Sequence, residues 1–90
     1  MNFYAPQDPK FIKKEREKAR ELKKTAWWNQ KLQVGICYYC EGKFTKEELT
    51  MDHKVPLARG GTSSKNNVVC CCKMCNSKKQ SLTSVDFISS

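Results

Sequence analysis

The chain has 90 residues, with 17 Lys and Arg against 9 Asp and Glu and a formal net charge of +8. A chain this short buries only about 60% of its unfolded surface, which excludes more than one domain and calls for a staple beyond apolar packing. Nine of the basic residues lie between Lys10 and Lys31 against three acids, Glu15, Glu17 and Glu21, so a polyanion is the expected partner. A solvated lysine-rich helix would carry the same charge, so charge alone shows no chemistry.

Residues 1–10 are polar, and no apolar run is long enough for a signal peptide or a membrane span. Six cysteines can serve as disulfides in a secreted chain or as metal thiolates in a reduced one. The polar start favours the second, with a cytoplasmic setting such as a bacterial or phage-infected cell. Four thiolates and a zinc ion would lower the net charge to about +6, which is still basic.

Asp8-Pro9 is a strong helix start, and the pattern predicts a helix over residues 9–26 with Phe11, Ile12, Ala19, Leu22 and Ala26 on one stripe. Trp27 and Trp28 then read as a hydrophobic anchor, with base stacking as the alternative. Residues 1–34 form a basic helical arm packed on the domain, and residues 35–90 form the working core with a short tail. A turn is expected at Gly35. Thr45 and Glu48 make a capping box for a helical turn. Residues 49–55 alternate as a strand, Pro56 and Gly60-Gly61 break it, Asn67-Val68-Val69 returns, and a helix follows over residues 73–80. Leu82, Val85, Phe87 and Ile88 suffice to pack the last ten residues back on the body.

Cys37-Tyr-Tyr-Cys40 and Cys72-Lys-Met-Cys75 are two C-x-x-C knuckles, and together they supply the four thiolates of a structural zinc site. The 31 residues between them exceed the usual zinc-ribbon spacing. Cys70 and Cys71 leave the ligand register open, but only Cys72 and Cys75 repeat the knuckle spacing, so the other two read as small buried hydrophobes. A redox C-x-x-C is the competing reading, weakened by the second pair.

Within the excursion stands Asp52-His53, with the single histidine of the chain, and Asn76 follows the last cysteine. A lone histidine on a strand is more often a packed residue than a catalyst. Here a carboxylate and an amide carbonyl offer hard oxygens suited to Mg²⁺, and a neutral imidazole beside them can take a proton from water. Successive strand residues point to opposite faces, so the strand must end or twist near Asp52 if both are to act on one phosphate.

These residues, with Pro56, Gly60, Gly61 and Asn67-Val68-Val69, resemble the HNH nuclease family of the ββα-metal superfamily in its zinc-bearing, four-cysteine form. The resemblance covers about half of the chain. It implies a small α+β, zinc-stabilised ββα-metal domain preceded by the basic amphipathic helix. It also implies a metal-dependent DNA endonuclease that cuts double-stranded DNA, one strand per site, leaving 5′-phosphate and 3′-hydroxyl ends. His53 takes the general base's position, and Asp52 and Asn76 those of the ligands to a catalytic divalent metal: Mg²⁺, with Mn²⁺ or Ni²⁺ as alternatives. The last position is often His, so Asn76 bears on metal preference. Asn67 takes the place that braces the loop, with Asn66 as a competing choice. Lys54, Arg59 and Lys65 are candidate phosphate contacts near the site, Arg59 foremost because a guanidinium grips phosphate with two parallel bonds. Lys13, Lys14, Arg20 and Lys24 would add affinity from the arm. A monomer or weak dimer is expected, with no membrane contact. The rival readings are a non-catalytic zinc module that binds DNA or RNA, and a zinc-stabilised protein-interaction domain.

Overall fold

A computed structural model describes residues 7–89. The first six residues of the expected arm and the final Ser90 of the tail lie outside this range. Helix α1 spans Pro9–Leu22, capped by Asp8, whose Oδ1 accepts the Lys10 amide at 2.9 Å while Pro9 needs no partner. It does not run on to residue 26 as its pattern predicts. Thr25 interrupts it: the hydroxyl donates to the Leu22 carbonyl at 2.7 Å and accepts the Trp28 amide at 3.2 Å, so one side chain closes α1 and opens α2, Ala26–Val34. Its extended backbone takes the chain out of the helical line. The Asn29 amide group holds the same corner by donating to the Thr25 carbonyl at 2.9 Å.

Gly35 ends α2 in the left-handed conformation, φ 75°, which glycine adopts without strain; a Cβ there would also press on the Phe44 carbonyl. The Thr45–Glu48 capping box then starts a single 3₁₀ turn, Lys46–Glu48. Two strands make the sheet, β1 Leu49–His53 and β2 Val68–Cys72, antiparallel with Leu49 opposite Cys72 and His53 opposite Val68. β1 stops at His53, two residues short of the expected end. Beyond it the Asn67 side chain replaces the ladder: its Oδ1 accepts the Val55 amide at 3.0 Å, and its Nδ2 donates to Val55 at 3.1 Å and Thr62 at 2.7 Å. β2 is longer than the Asn67-Val68-Val69 reading and runs into the second knuckle. It is buried at every residue, because layers cover both of its faces.

α3, Lys73–Lys79, follows β2 with no loop, and α4, Ser84–Ser89, forms in the tail. The core joins Trp28, Leu49 and the buried cysteines, with Trp27, Leu32, Tyr39, Phe44, Met51 and Phe87 packed around them. Trp28, 3% exposed, is thus an anchor and not a stacking platform. Trp27 is half-buried, with the Lys31 and Lys65 ammonium groups 5.0 and 5.5 Å from its ring. Among the described residues no helix is long and apolar enough to cross a membrane.

The shared cap yields a direct test. Thr25→Ala should cost about 1 kcal/mol, the usual worth of an N-cap hydroxyl. The loss should appear as a lower urea midpoint at unchanged zinc content, and an unaltered midpoint would show that the α1–α2 corner needs no cap.

Candidate metal centre and active site

The sulfurs of Cys37, Cys40, Cys72 and Cys75 all lie within 4.8 Å of one another. Four thiolates at the usual 2.3 Å from a tetrahedral zinc stand about 3.8 Å apart, and Cys40 and Cys72 are 3.9 Å apart here. The first knuckle is shaped by turn bonds, Cys37 amide to Gly42 carbonyl and Glu41 amide to Cys37 carbonyl, both 3.0 Å, and by the left-handed Glu41. The second is shaped by α3, whose N-cap is Cys72: its sulfur accepts the Cys75 amide at 3.4 Å. The Cys72 amide in turn donates to Cys37 Sγ at 3.4 Å, linking the two knuckles.

Burial raises the Cys37 thiol, yet amide donors from Cys40, Cys72 and Tyr39 outweigh it and lower the value overall, favouring thiolate. Burial and the neighbouring thiols push Cys75 the other way. Four thiols so close cannot all ionise without a cation among them, and the donor set fits zinc. Cys70 and Cys71 are buried outside the cluster, both raised by burial, as small hydrophobes would be. All six cysteines are free thiols, so no disulfide competes.

Asp52 and His53, the last two residues of β1, leave it on opposite faces and meet different partners, and the strand ends there: His53 opposite Val68 is the last pair of the register. Asp52 is 6% exposed. Its Oδ2 accepts the Tyr39 hydroxyl at 2.6 Å and stands 3.4 Å from the ammonium of Lys79, itself 1% exposed. Burial and then the Asp52 carboxylate keep Tyr39 protonated, as a donor must be. Lys79 also donates to the His53 carbonyl at 3.1 Å, so one ammonium grips both residues. Neither partner is marked by the sequence, where Tyr39 lies inside a cysteine knuckle and Lys79 is a lysine near the end of the helix expected over residues 73–80.

His53 is half-buried, and its Nε2 lies 2.9 Å from Ser63 Oγ. Ser63 is held by α1: its hydroxyl donates to the Glu15 carbonyl at 2.6 Å and its amide to Glu15 Oε1 at 2.7 Å. Glu15 is 2% exposed, and the Ser63 amide lowers its carboxyl from the ordinary range, with Lys18 adding to the effect at 3.1 Å. The available signal was a charged residue inside the stripe of Phe11, Ile12, Ala19 and Leu22, where a helix facing a dry core would hold an apolar side chain. Burial lowers the His53 ring from its usual range, Asp52 opposes, and Lys23 and Lys79 assist.

Asn76 is exposed on α3, one turn before Lys79. Lys54 sits 4.9 Å from the Tyr38 ring, Arg59 pairs with Asp86 at 3.3 Å, and Lys65 rests on Trp27, so each loop cation has an internal partner. On the arm, Lys13, Lys14, Arg20 and Lys24 are all exposed, Lys24 paired with Glu21 at 2.9 Å. Gly61 closes the loop by donating to the Pro56 carbonyl at 2.9 Å, in a space where a Cβ would collide with the Val55 carbonyl.

The α+β architecture, the two-stranded antiparallel sheet and the four-cysteine cluster are those of a ββα-metal domain. A family model described as HNH endonuclease matches residues 37–89, more than half of the chain, and the protein belongs to that family. A nuclease-type function with a nucleic-acid substrate follows from membership. No curated protein matches the chain closely enough to add a named relative.

Because binding energy at a structural zinc is also folding energy, Cys37→Ala or Cys75→Ala should lose the metal and most cooperative structure. Cys70→Ala and Cys71→Ala should keep the zinc by elemental analysis. Loss of zinc from Cys71→Ala would show that the register of the second knuckle is wrong.

Proposed function

We propose that the protein is a metal-dependent endonuclease that hydrolyses phosphodiester bonds of double-stranded DNA, with His53 as the general base. The observation that carries this reading is the chain's only imidazole, at the end of β1 within the family match, its Nε2 engaged by the protein and its ring kept neutral by burial. Asp52 and Asn76 would hold the catalytic divalent cation. Tyr39 and Lys79 both take Oδ2 of Asp52, which leaves Oδ1 for a cation, and the Asn76 carbonyl adds a second hard oxygen; two such ligands suit an ion that keeps several waters. When bound, that ion supplies positive charge to the phosphate and the departing oxygen.

The steps of this chain's own residues are few. His53 takes a proton from water as the water oxygen bonds to phosphorus. The bond from phosphorus to the 3′ oxygen breaks, that oxygen takes a proton from solvent water to leave as a hydroxyl, and His53 returns its proton to solvent. Asn67 keeps the loop closed over the end of β1. The exposed cations of α1 hold the phosphate backbone without regard to sequence, and Lys54, Arg59 and Lys65 flank the site.

His53→Ala should retain zinc, fold and DNA affinity and lose about 10²- to 10⁴-fold in supercoiled-plasmid nicking with Mg²⁺ or Mn²⁺. Nicking at the wild-type rate would overturn the assignment. For the metal ligand, Asp52→Asn is a better test than alanine, because its amide oxygen can still accept from Tyr39 and Lys79; both changes break the buried ion pair at a cost of about 3–5 kcal/mol, so fold and zinc content are checked beside activity. It should be inactive in Mg²⁺ and partly restored by raised Mn²⁺.

The pH profile has a defined sign. A protonated imidazole cannot accept a proton, and burial lowers this one, so activity should hold through neutrality and fall on a limb centred below about 6.5. A limb centred above that value would exclude a buried His53 as the base. Separately, neutralising Lys13, Lys14, Arg20 and Lys24 together should weaken binding equally across DNA sequences and flatten its salt dependence by about one unit of log–log slope per lost phosphate contact. An unchanged slope would mean that α1 faces something other than DNA.

A further inference from the structure

The junction between α1 and the loop after β1 carries one further step, which rests on His53 being the base. We propose that Ser63, clamped by Glu15 of α1, is a positioning residue that fixes the tautomer and orientation of His53, so that Nδ1 is the atom that accepts the proton. Counting hydrogens supports it. The Ser63 hydroxyl has one hydrogen and two neighbours, the Glu15 carbonyl at 2.6 Å and His53 Nε2 at 2.9 Å. A carbonyl can only accept, and two oxygens 2.6 Å apart with no hydrogen between them repel, so the hydroxyl hydrogen points at Glu15. Nε2 must then be the donor to Ser63 Oγ. A neutral ring with its hydrogen on Nε2 carries its lone pair on Nδ1.

The clamp is rigid on both sides. The Ser63 amide is fixed by Glu15 Oε1 at 2.7 Å, the carbonyl of the preceding Thr62 is held by Asn67 Nδ2 at 2.7 Å, and Lys18 secures the other Glu15 oxygen. Glu15 is also costly where it stands. A carboxylate taken out of water on an apolar helical stripe is unfavourable unless fully bonded, and an apolar residue would pack there at no such cost. Every bond it makes through its carboxylate or carbonyl to the loop ends on Ser63. Glu15 also lies outside the residues matched to the family. The arm therefore supplies the clamp on a serine that, like the base it orients, belongs to the family domain, and the ring is aligned before substrate arrives.

The test uses the full, zinc-loaded chain. Because His53 is the only histidine, a long-range ¹H–¹⁵N spectrum reports on one ring without assignment. At neutral pH the wild type should show the hydrogen on Nε2, and Ser63→Ala should show a mixture of tautomers. In plasmid nicking, Ser63→Ala should lower kcat about 10- to 100-fold, the usual effect of losing an orienting partner, with KM within twofold of wild type. Ser63→Thr, which keeps the hydroxyl, should restore both signals. A wild-type ring protonated on Nδ1, or a Ser63→Ala variant with unchanged tautomer or unchanged kcat, would overturn the proposal. The spectrum needs neither a folded variant nor nuclease activity. A chain that does not nick yet shows the hydrogen on Nε2 would therefore remove the reaction while leaving the clamp, whereas an active chain with the hydrogen on Nδ1 would do the reverse.

Discussion

The pleat of β1 sends two adjacent side chains in opposite directions, and most of the site's construction answers that constraint. Asp52 and His53 are paired regularly with Val69 and Val68, so neither can lean on the other. Each needs separate support. Asp52 receives it from Tyr39, inside the first cysteine knuckle, and from Lys79 at the end of the helix that starts on the second. His53 receives it from a loop serine that is itself tied to α1. The Lys79 ammonium reaches both, meeting the carboxylate of one and the backbone carbonyl of the other.

The four-cysteine cluster matters to this arrangement through direction as much as through stability. Cys72 is at once the last residue of β2, the cap of α3 and a thiol of the cluster. Fixing it fixes the angle at which α3 leaves the sheet, and hence where Asn76 and Lys79 stand relative to β1. The burial of Lys79 and Asp52 is tolerable only because they meet; either alone would be an uncompensated charge in the interior. The geometry around Asp52 is thus held from two ends, by the sulfur cluster and by an ion pair.

The features that the sequence made legible are those whose chemistry depends on spacing. Two C-x-x-C pairs define the cluster without any knowledge of the path between them, and a capping box or a Gly35 turn is read from four residues or fewer. Asn67 is the middle case: its neighbourhood with Val68-Val69 is visible in the chain, but its three side-chain bonds across the loop are not. What stayed hidden depends on long-range partners. Lys79 looks like any lysine at a helix end, where it would favour the dipole from solvent, and only the packing of α3 on β1 turns it inward. Glu15 stands on a stripe defined by its apolar members, and nothing local shows that Ser63, 48 residues away, supplies the bonds that let a carboxylate stand there. The break at Thr25 is faint for a related reason: the helical pattern runs on through it, and the competing signal, a threonine placed to cap Trp28, is a single hydroxyl.

The bonds between Glu15 and Ser63 also separate two units that are easily treated as one. The stretch recognisable as a family domain begins at residue 37, whereas the stretch that satisfies its own buried polar groups begins no later than residue 15. Trimming the chain to the recognisable domain would leave the Ser63 amide and hydroxyl facing the place that α1 had filled, with water as the only substitute. Unit of descent and unit of folding therefore have different borders in this molecule, and an insertion or fusion is better tolerated in front of α1 than at the seam where the homologous region starts.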